Sequence, residues 1–347
     1  MRVERVAPGR RAPAKLVGSV LTRDLTVKGE RWEKGRRLSA DDLRALAAEE
    51  AGPPFTVLLA ESGELHEDEA ALRLAKAIAG PNLDVRGPNQ SRLDLVAAVA
   101  GVVNIRVAEL ERINRLDPLE VFTVYDGQIV ERGDLVASVK VAPHLVDAMV
   151  VEAGARVAAF GSQPIVWVAP FVAKRVGVVV KESVRATVRE RFERSVRAKV
   201  EGLGSEVIDI VYVEDDADAV ETALGRFTRG ADLADLVLTA GSASTDPGDA
   251  FFVAIEELGG RLVRRGVPSH PGSMLWLARV GGTSILGLPT CGAYSRATAV
   301  DLLLPRLLAG EPPTEATVAK LGHGGILTRS QRFRFPRYAR DLEDPEG

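Results

Sequence analysis

The 347 residues include one cysteine, Cys291, and four histidines. A single cysteine excludes an intramolecular disulfide and leaves a thiol best kept in a reducing compartment. His66, His144, His270 and His323 lie far apart, so no Cys/His spacing of a zinc site is present. No apolar run approaches the roughly 18 residues of a membrane span. Met1 to Leu16, rich in Arg, Pro and Ala, lacks the continuous apolar core of a signal peptide. A cytoplasmic protein is therefore expected. The formal net charge is -3 and long like-charge tails are missing, so there is no basic field for nucleic acid or an anionic membrane. The glycine fingerprint of dinucleotide-binding enzymes is also missing, which disfavours a dehydrogenase.

What is there is ordinary globular composition, 46% hydrophobic and 27% charged, in a chain long enough for two or three domains. Residues 1–62 read as an α+β module. Short strands and turns lead to a helix beginning near Ser39 with Asp41 and Asp42 in its first turn, and Gly52-Pro53-Pro54 precedes a strand over 55–60. Residues 63–172 read as a β-rich middle module. They open with a helix over 67–79, followed by a Gly/Pro/Asn break at 80–89 and an apolar-periodic segment near 93–100. Strands over 121–141 then alternate around Asp126-Gly127, a hairpin signal.

From 173 to 312 the pattern becomes α/β: strand 176–180, helix 183–201, strand 207–213, helix 217–227, strand 236–239 and helix 250–258. That order predicts a largely parallel sheet covered by helices. Val184, Val188, Phe192, Val196, Val200 and Leu203 form the apolar stripe that packs the long helix on it. Met274–Leu277, a turn at Gly281-Gly282, Ile285–Leu288 and a helix over 294–308 close the domain. Residues 313–347 form a tail, charged from Arg329 onward, expected to order only against another subunit or not at all.

Three loops could carry chemistry. Thr239-Ala240-Gly241-Ser242-Ala243-Ser244-Thr245-Asp246-Pro247-Gly248-Asp249 follows a strand's carboxyl end and leads into a helix, where ligands of open α/β sheets bind and free amides favour an anion. Small residues at Gly241, Ser242 and Ser244 admit a phosphate. Asp246 and Asp249 would repel it bare, so they imply a magnesium ion or a hydrogen-bonding heterocycle, or else Asp249 simply caps the helix. The second loop, 268–274, carries His270 and two serines. The third, 287–296, is another strand-to-helix turn, a second wall of one crevice if its strand neighbours that of the first loop. Cys291 lacks a paired histidine and reads as a small half-buried thiol.

Together the loops resemble the molybdopterin-binding domain shared by molybdopterin adenylyltransferases and molybdenumtransferases. Thr239-Ala240-Gly241-Ser242-Ala243-Ser244, with Asp249 downstream, is similar to that family's Thr-Ser-Gly-Gly-Val-Ser stretch and its aspartate. Pro271-Gly272 and Gly287-Leu288-Pro289 match its Pro-Gly and Gly-Leu-Pro turns. Ser242 stands at the second family glycine, Ser273 at a usual lysine, and Thr290-Cys291-Gly292 at Gly-Asn-Pro. These departures are closer to the molybdopterin-binding region fused to molybdenum cofactor cytidylyltransferases. Lys34-Gly35, Ile113-Asn114 to Asp117 and Val139-Lys140-Val141 resemble that group as well.

The resemblance implies a three-layer α/β domain with a mostly parallel sheet, preceded by the smaller α+β and β-rich modules. It implies molybdopterin, its adenylate or the molybdenum cofactor as ligand, with Mg2+ held by Asp249 and Asp246. Asp249 is the expected catalytic residue. Thr239, Gly241, Ser242 and Ser244 cradle the phosphate, Asp246 belongs to the cofactor-binding set beside the magnesium, and His270, Pro271, Gly272, Ser273, Pro289 and Arg296 line the pocket. The expected function is molybdenumtransferase-like insertion of molybdate into adenylated molybdopterin. A non-catalytic cofactor carrier is the alternative, and a nucleotide-processing enzyme of the competence-damage-inducible type a third. Relatives form dimers or trimers, so a homo-oligomer is implied, serving a molybdoenzyme or a separate nucleotidyltransferase.

Overall fold

A computed structural model describes residues 1–89, 91–181, 186–242, 244–289, 297–311 and 314–341. It divides into two compact units. The first holds residues 1–99, 103–126 and 131–168, and the second holds 100–102, 127–130 and 169–347.

In the first unit, strands Arg2–Val6 and Val20–Leu21 flank Phe55–Leu59 in an antiparallel sheet. Helix Ala40–Ala47 starts on a capping box: Ser39 accepts from the Asp42 N–H while the Asp42 carboxylate accepts from the Ser39 N–H. Leu43 and Leu46 on that helix join Val6, Leu21, Trp32, Phe55 and Val57 in one core. Helix Glu67–Ile78 buries Ala70, Ala71, Leu74, Ala75 and Ile78, one face at helical spacing.

A four-stranded antiparallel sheet runs in the order Leu119–Thr123, Leu135–Val141, Arg92–Ala97, Leu83–Asn89. It corrects two expectations. The Gly/Pro/Asn break at 80–89 is mostly strand: Leu83–Asn89 lies at the sheet edge, where the missing N–H of Pro88 breaks no ladder, and a register irregularity falls between Arg86 and Asn89. Asp126-Gly127 is not a tight two-residue hairpin turn: Leu119–Thr123 and Leu135–Val141 do pair antiparallel across it, but residues 124–134 separate them and Ile129-Val130 within that connection pairs with Val102 and Gly101. The Asp126 carboxylate instead accepts from the Ile105 N–H at 2.9 Å.

The second unit is built on a six-stranded sheet. Its elements are β1 (Arg175–Lys181), α1 (Ala186–Glu201), β2 (Glu206–Val213), α2 (Ala217–Thr228), β3 (Leu236–Ala240), α3 (Ala250–Glu257), β4 (Arg261–Arg265), β5 (Trp276–Val280), β6 (Thr283–Gly287) and α4 (Val300–Leu308). The strand order is β2-β1-β3-β6-β5-β4. The first four strands are mutually parallel, and β5 and β4 are antiparallel at one edge.

Strand alternation builds two cores. Val176, Val178, Val180, Leu236 and Leu238 pack with Phe192, Val196 and Val200 of α1 and Leu303 and Leu304 of α4. Val179, Val237 and Ile285 pack with Leu224 and Phe227 of α2 and Phe251 and Ile255 of α3. Helices therefore cover both faces, giving three layers. Val184 lies outside the described residues.

Three boundaries differ from the reading above. β5 starts at Trp276 rather than Met274 because the Leu275 N–H closes a turn on the Gly272 carbonyl. α4 starts at Val300, after the Ala299 N–H is taken by the Pro271 carbonyl and the Thr298 N–H by Asp301. The tail does not wait for another subunit through Asp341. Phe335 and Ala339 bury against Ala297 and Leu302 of the same chain, because apolar residues interrupt the charge there. Beneath the tail, Lys199 of α1 donates to Asp301 of α4 at 2.5 Å, both fully buried, with the Lys199 Nζ 5.4 Å from the Tyr338 ring. Burial pushes the Tyr338 phenol well above its ordinary pKa.

Candidate functional site

The topology selects a position before any side chain does. From β1 the chain crosses through α1, on one face, to β2 at the sheet edge. It then returns over β1 through α2, on the opposite face, to β3. The direction of winding reverses between β1 and β3, and the carboxyl side of that switch point is the usual crevice position for ligands in open α/β sheets.

β3 and β6 are hydrogen-bonded neighbours, Thr239 opposite Gly287, so the first loop begins beside residues 287–289, the described part of the third. The second loop joins them, because Trp276 at the start of β5 pairs with Gly287. Of the residues that sequence assigned to the site, Thr239, Gly241, Ser242, Ser244, Asp246, Asp249, Pro271, Gly272, Ser273 and Pro289 are brought to the carboxyl end of the sheet. Arg296, like Cys291, lies outside the described residues.

The centre of this end is a lysine the sequence reading missed. Lys181, the last residue of β1, is 4% exposed, and its ammonium donates to Asp249 Oδ2 at 2.7 Å and to Asp215 Oδ1 at 2.9 Å. Burial works against its charge, but the hydrogen bonds to Asp249 and then Asp215 outweigh that and hold its pKa above the ordinary lysine value. Its Nζ also lies 5.8 Å from the Phe251 ring. Asp249, 4% exposed, caps α3 by accepting from the Phe251 N–H at 3.0 Å through Oδ1. Capping and an ion pair thus share one carboxylate. Asp215, after β2, is 71% exposed at its side chain. A charged residue ending the run Val-Gly-Val-Val-Val-Lys was the available signal, since a buried parallel strand has no solvent for it to reach.

Around the lysine the backbone comes close. Gly241 has φ +92°, and a Cβ there would overlap the carbonyl oxygen of Lys181. The Thr239 hydroxyl, on the same face as Lys181, is fully buried and has no hydrogen-bond partner among the described residues. Ser242 accepts from the indole N–H of Trp276 at 2.8 Å, which gives a physical reason for serine at that position. The buried Trp276 ring occupies the space a side chain at Gly287 would need and packs edge-on to Phe252 at 5.2 Å. Asp246 is exposed and closes its own turn on the Gly248 N–H.

The second loop is more structural than expected. A Cβ at Gly272, φ +106°, would stand 2.8 Å from the Ala299 nitrogen, so the Pro-Gly turn is what lets 298–299 pack. His270 exchanges backbone hydrogen bonds with Gly325 and Leu327, and its side chain is exposed. Two cavities of about 230 and 260 Å³ open at the other end of the sheet, lined by Lys174, Asp235, Arg279, Ser284 and Leu307 among others. Among the described residues, no group of three or more His, Cys, Asp and Glu side chains is arranged to hold a metal, and no helix is long and apolar enough to cross a membrane.

Two solved structures are among those similar to the chain. A molybdopterin biosynthesis MoeA protein from Pyrococcus horikosii is 14% identical, covering 72% of this chain and 81% of its own, with a TM-score of 0.32. The molybdopterin biosynthesis enzyme MoaB from Thermus thermophilus is 20% identical, covering 40% of this chain and 98% of its own, with a TM-score of 0.29. No curated protein sequence matches the chain. The family described as "Probable molybdopterin binding domain" matches residues 176–309, from β1 to the end of α4. That segment, which carries the three-layer fold, matches the molybdopterin-binding domain family.

Proposed function

We propose that the crevice between β1 and β3 binds molybdopterin through its phosphate, and that the chain acts in molybdenum cofactor biosynthesis. The observation that carries this reading is the juxtaposition of the Lys181 ammonium, the unpartnered Thr239 hydroxyl and the Gly241 backbone at the switch point of a domain of this family. An ammonium and a buried hydroxyl supply donors, and a glycine without Cβ lets backbone amides approach, which is what a phosphate needs.

The side chains assigned to magnesium do not fit that ion. Both oxygens of Asp249 are engaged, Oδ2 by an ammonium and Oδ1 by a backbone N–H, and a dication placed there would face Lys181 at contact distance. Asp246 bonds its own turn. No step is therefore routed through Asp249-bound magnesium. This favours holding and handing on the pterin or cofactor over metal-assisted transfer.

Molybdate insertion is the second reading. The observation behind it is that a buried, charged Lys181 could neutralise charge developing on an adenylated pterin in the absence of a metal at Asp249.

Titration calorimetry with molybdopterin and its adenylate, with and without Mg2+, tests both. Binding indifferent to Mg2+ supports the reading, and release of AMP with molybdate selects insertion. Absence of binding by either pterin overturns it.

A further inference from the structure

Lys181 is held by two carboxylates of opposite character. Asp249 is buried and caps α3, so it is fixed by helix and pair together. Asp215 lies in the turn between β2 and α2, is 71% exposed, and its pair with Lys181 is the only hydrogen bond or ion pair of its side chain among the described contacts. The next residue, Asp216, provides the α2 cap by accepting from the Ala219 N–H, so Asp215 carries no such duty. An ion pair with an exposed partner contributes little and gives way readily.

We infer that Asp215 is a displaceable stand-in for the ligand's anionic group: its carboxylate occupies the outward donor position of Lys181, and an incoming phosphate takes that position as Asp215 swings into solvent. The fixed partner, Asp249, then keeps the ammonium aimed at the crevice whether or not ligand is present. Asp215 becomes a residue that sets affinity and selects against weakly charged ligands, since only an anion that outcompetes a carboxylate gains the lysine. This rests on the phosphate-binding reading above.

The test uses the full chain, with inorganic pyrophosphate and molybdopterin as separate probes, read by calorimetry. Asp215→Asn is expected to bind pyrophosphate about three- to fivefold more tightly than wild type, the size of an exposed competing pair. Glu214→Gln, which makes the same charge change at an exposed neighbour without touching Lys181, is expected to give no comparable gain. Lys181→Arg should fold, retain the charge and bind, while Lys181→Met should lose binding at least tenfold.

An Asp215→Asn affinity equal to or below wild type overturns the inference, as does an equal gain in Glu214→Gln, which would reduce the effect to net charge. Absence of pyrophosphate binding to wild type and Asp215→Asn alike also overturns it. Molybdopterin separates the two claims: pterin binding weakened by Lys181→Met but untouched by Asp215→Asn leaves the proposed function standing and removes the stand-in. Lys181-dependent pyrophosphate binding without pterin binding does the reverse.

Discussion

Gly241 lies against the backbone of Lys181 so closely that any Cβ at position 241 would overlap the Lys181 carbonyl oxygen. Lys181 ends β1 and Gly241 directly follows β3, with Val180 opposite Ala240 between the two parallel strands. Gly241→Ala must both leave φ +92° and push the strands apart. A stability loss of about 1–3 kcal/mol is expected from the strained backbone alone, measured by urea denaturation, together with loss of pterin binding. Wild-type stability in Gly241→Ala would mean that the two strand ends are not so close.

Replacing Lys181 by Met leaves the Asp249 carboxylate buried without its counter-ion. Breaking a buried pair in this way is expected to cost about 3–5 kcal/mol, more than any exposed lysine of the chain would. The double variant Lys181→Met, Asp249→Asn should recover part of that loss, because the stranded charge is then gone. A double variant no more stable than the single one would deny the pairing.

The same pair has a pH signature. The folded-state pKa of Lys181 is raised above its ordinary value of 10.5, so its contribution is fully present below that value and is lost as pH rises through the higher folded value. Wild type should therefore lose stability in the alkaline range above about pH 10.5, and Lys181→Met should show a smaller loss there. Parallel alkaline profiles for the two proteins would contradict the assignment.

Thr239→Val removes a buried hydroxyl that no group among the described residues satisfies. Its effect on stability is expected to lie within about 1 kcal/mol of neutral, while pterin affinity falls several-fold. A large destabilisation with unchanged affinity would place the hydroxyl in the framework rather than the site.

Phe335→Ala should cost about 3 kcal/mol, as for a buried aromatic truncated in a core. A tail packed only against another subunit would give no effect in dilute solution.

The layers of the second unit were legible because valine-rich strands and amphipathic helices alternate through it, and the helix cap at Asp249 was legible because loop position and residue type agree. Lys181 was not. Its role depends on Asp249, 68 residues away, and on Asp215, and no local pattern carries that meeting. The strand at Leu83–Asn89 was hidden by Gly87-Pro88, which reads as a break unless the strand is known to be an edge. Capping and a charged partnership at Asp249 looked like alternatives in sequence, yet a carboxylate has two oxygens and here uses one for the cap and one for the Lys181 ion pair. Asp246 shows the opposite case, since an acidic residue in the right loop turned out to bond its own turn.

The long separation between Lys181 and Asp249 has a kinetic consequence. Neither the amino-terminal strand of the sheet nor the α3 cap can form the ion pair alone, and a pairing of such high sequence separation carries the loop-closure cost that slows folding. A ligand held by both therefore recognises only the completed sheet and stabilises it by mass action. During synthesis, cofactor capture would act as a checkpoint that half-finished chains cannot pass.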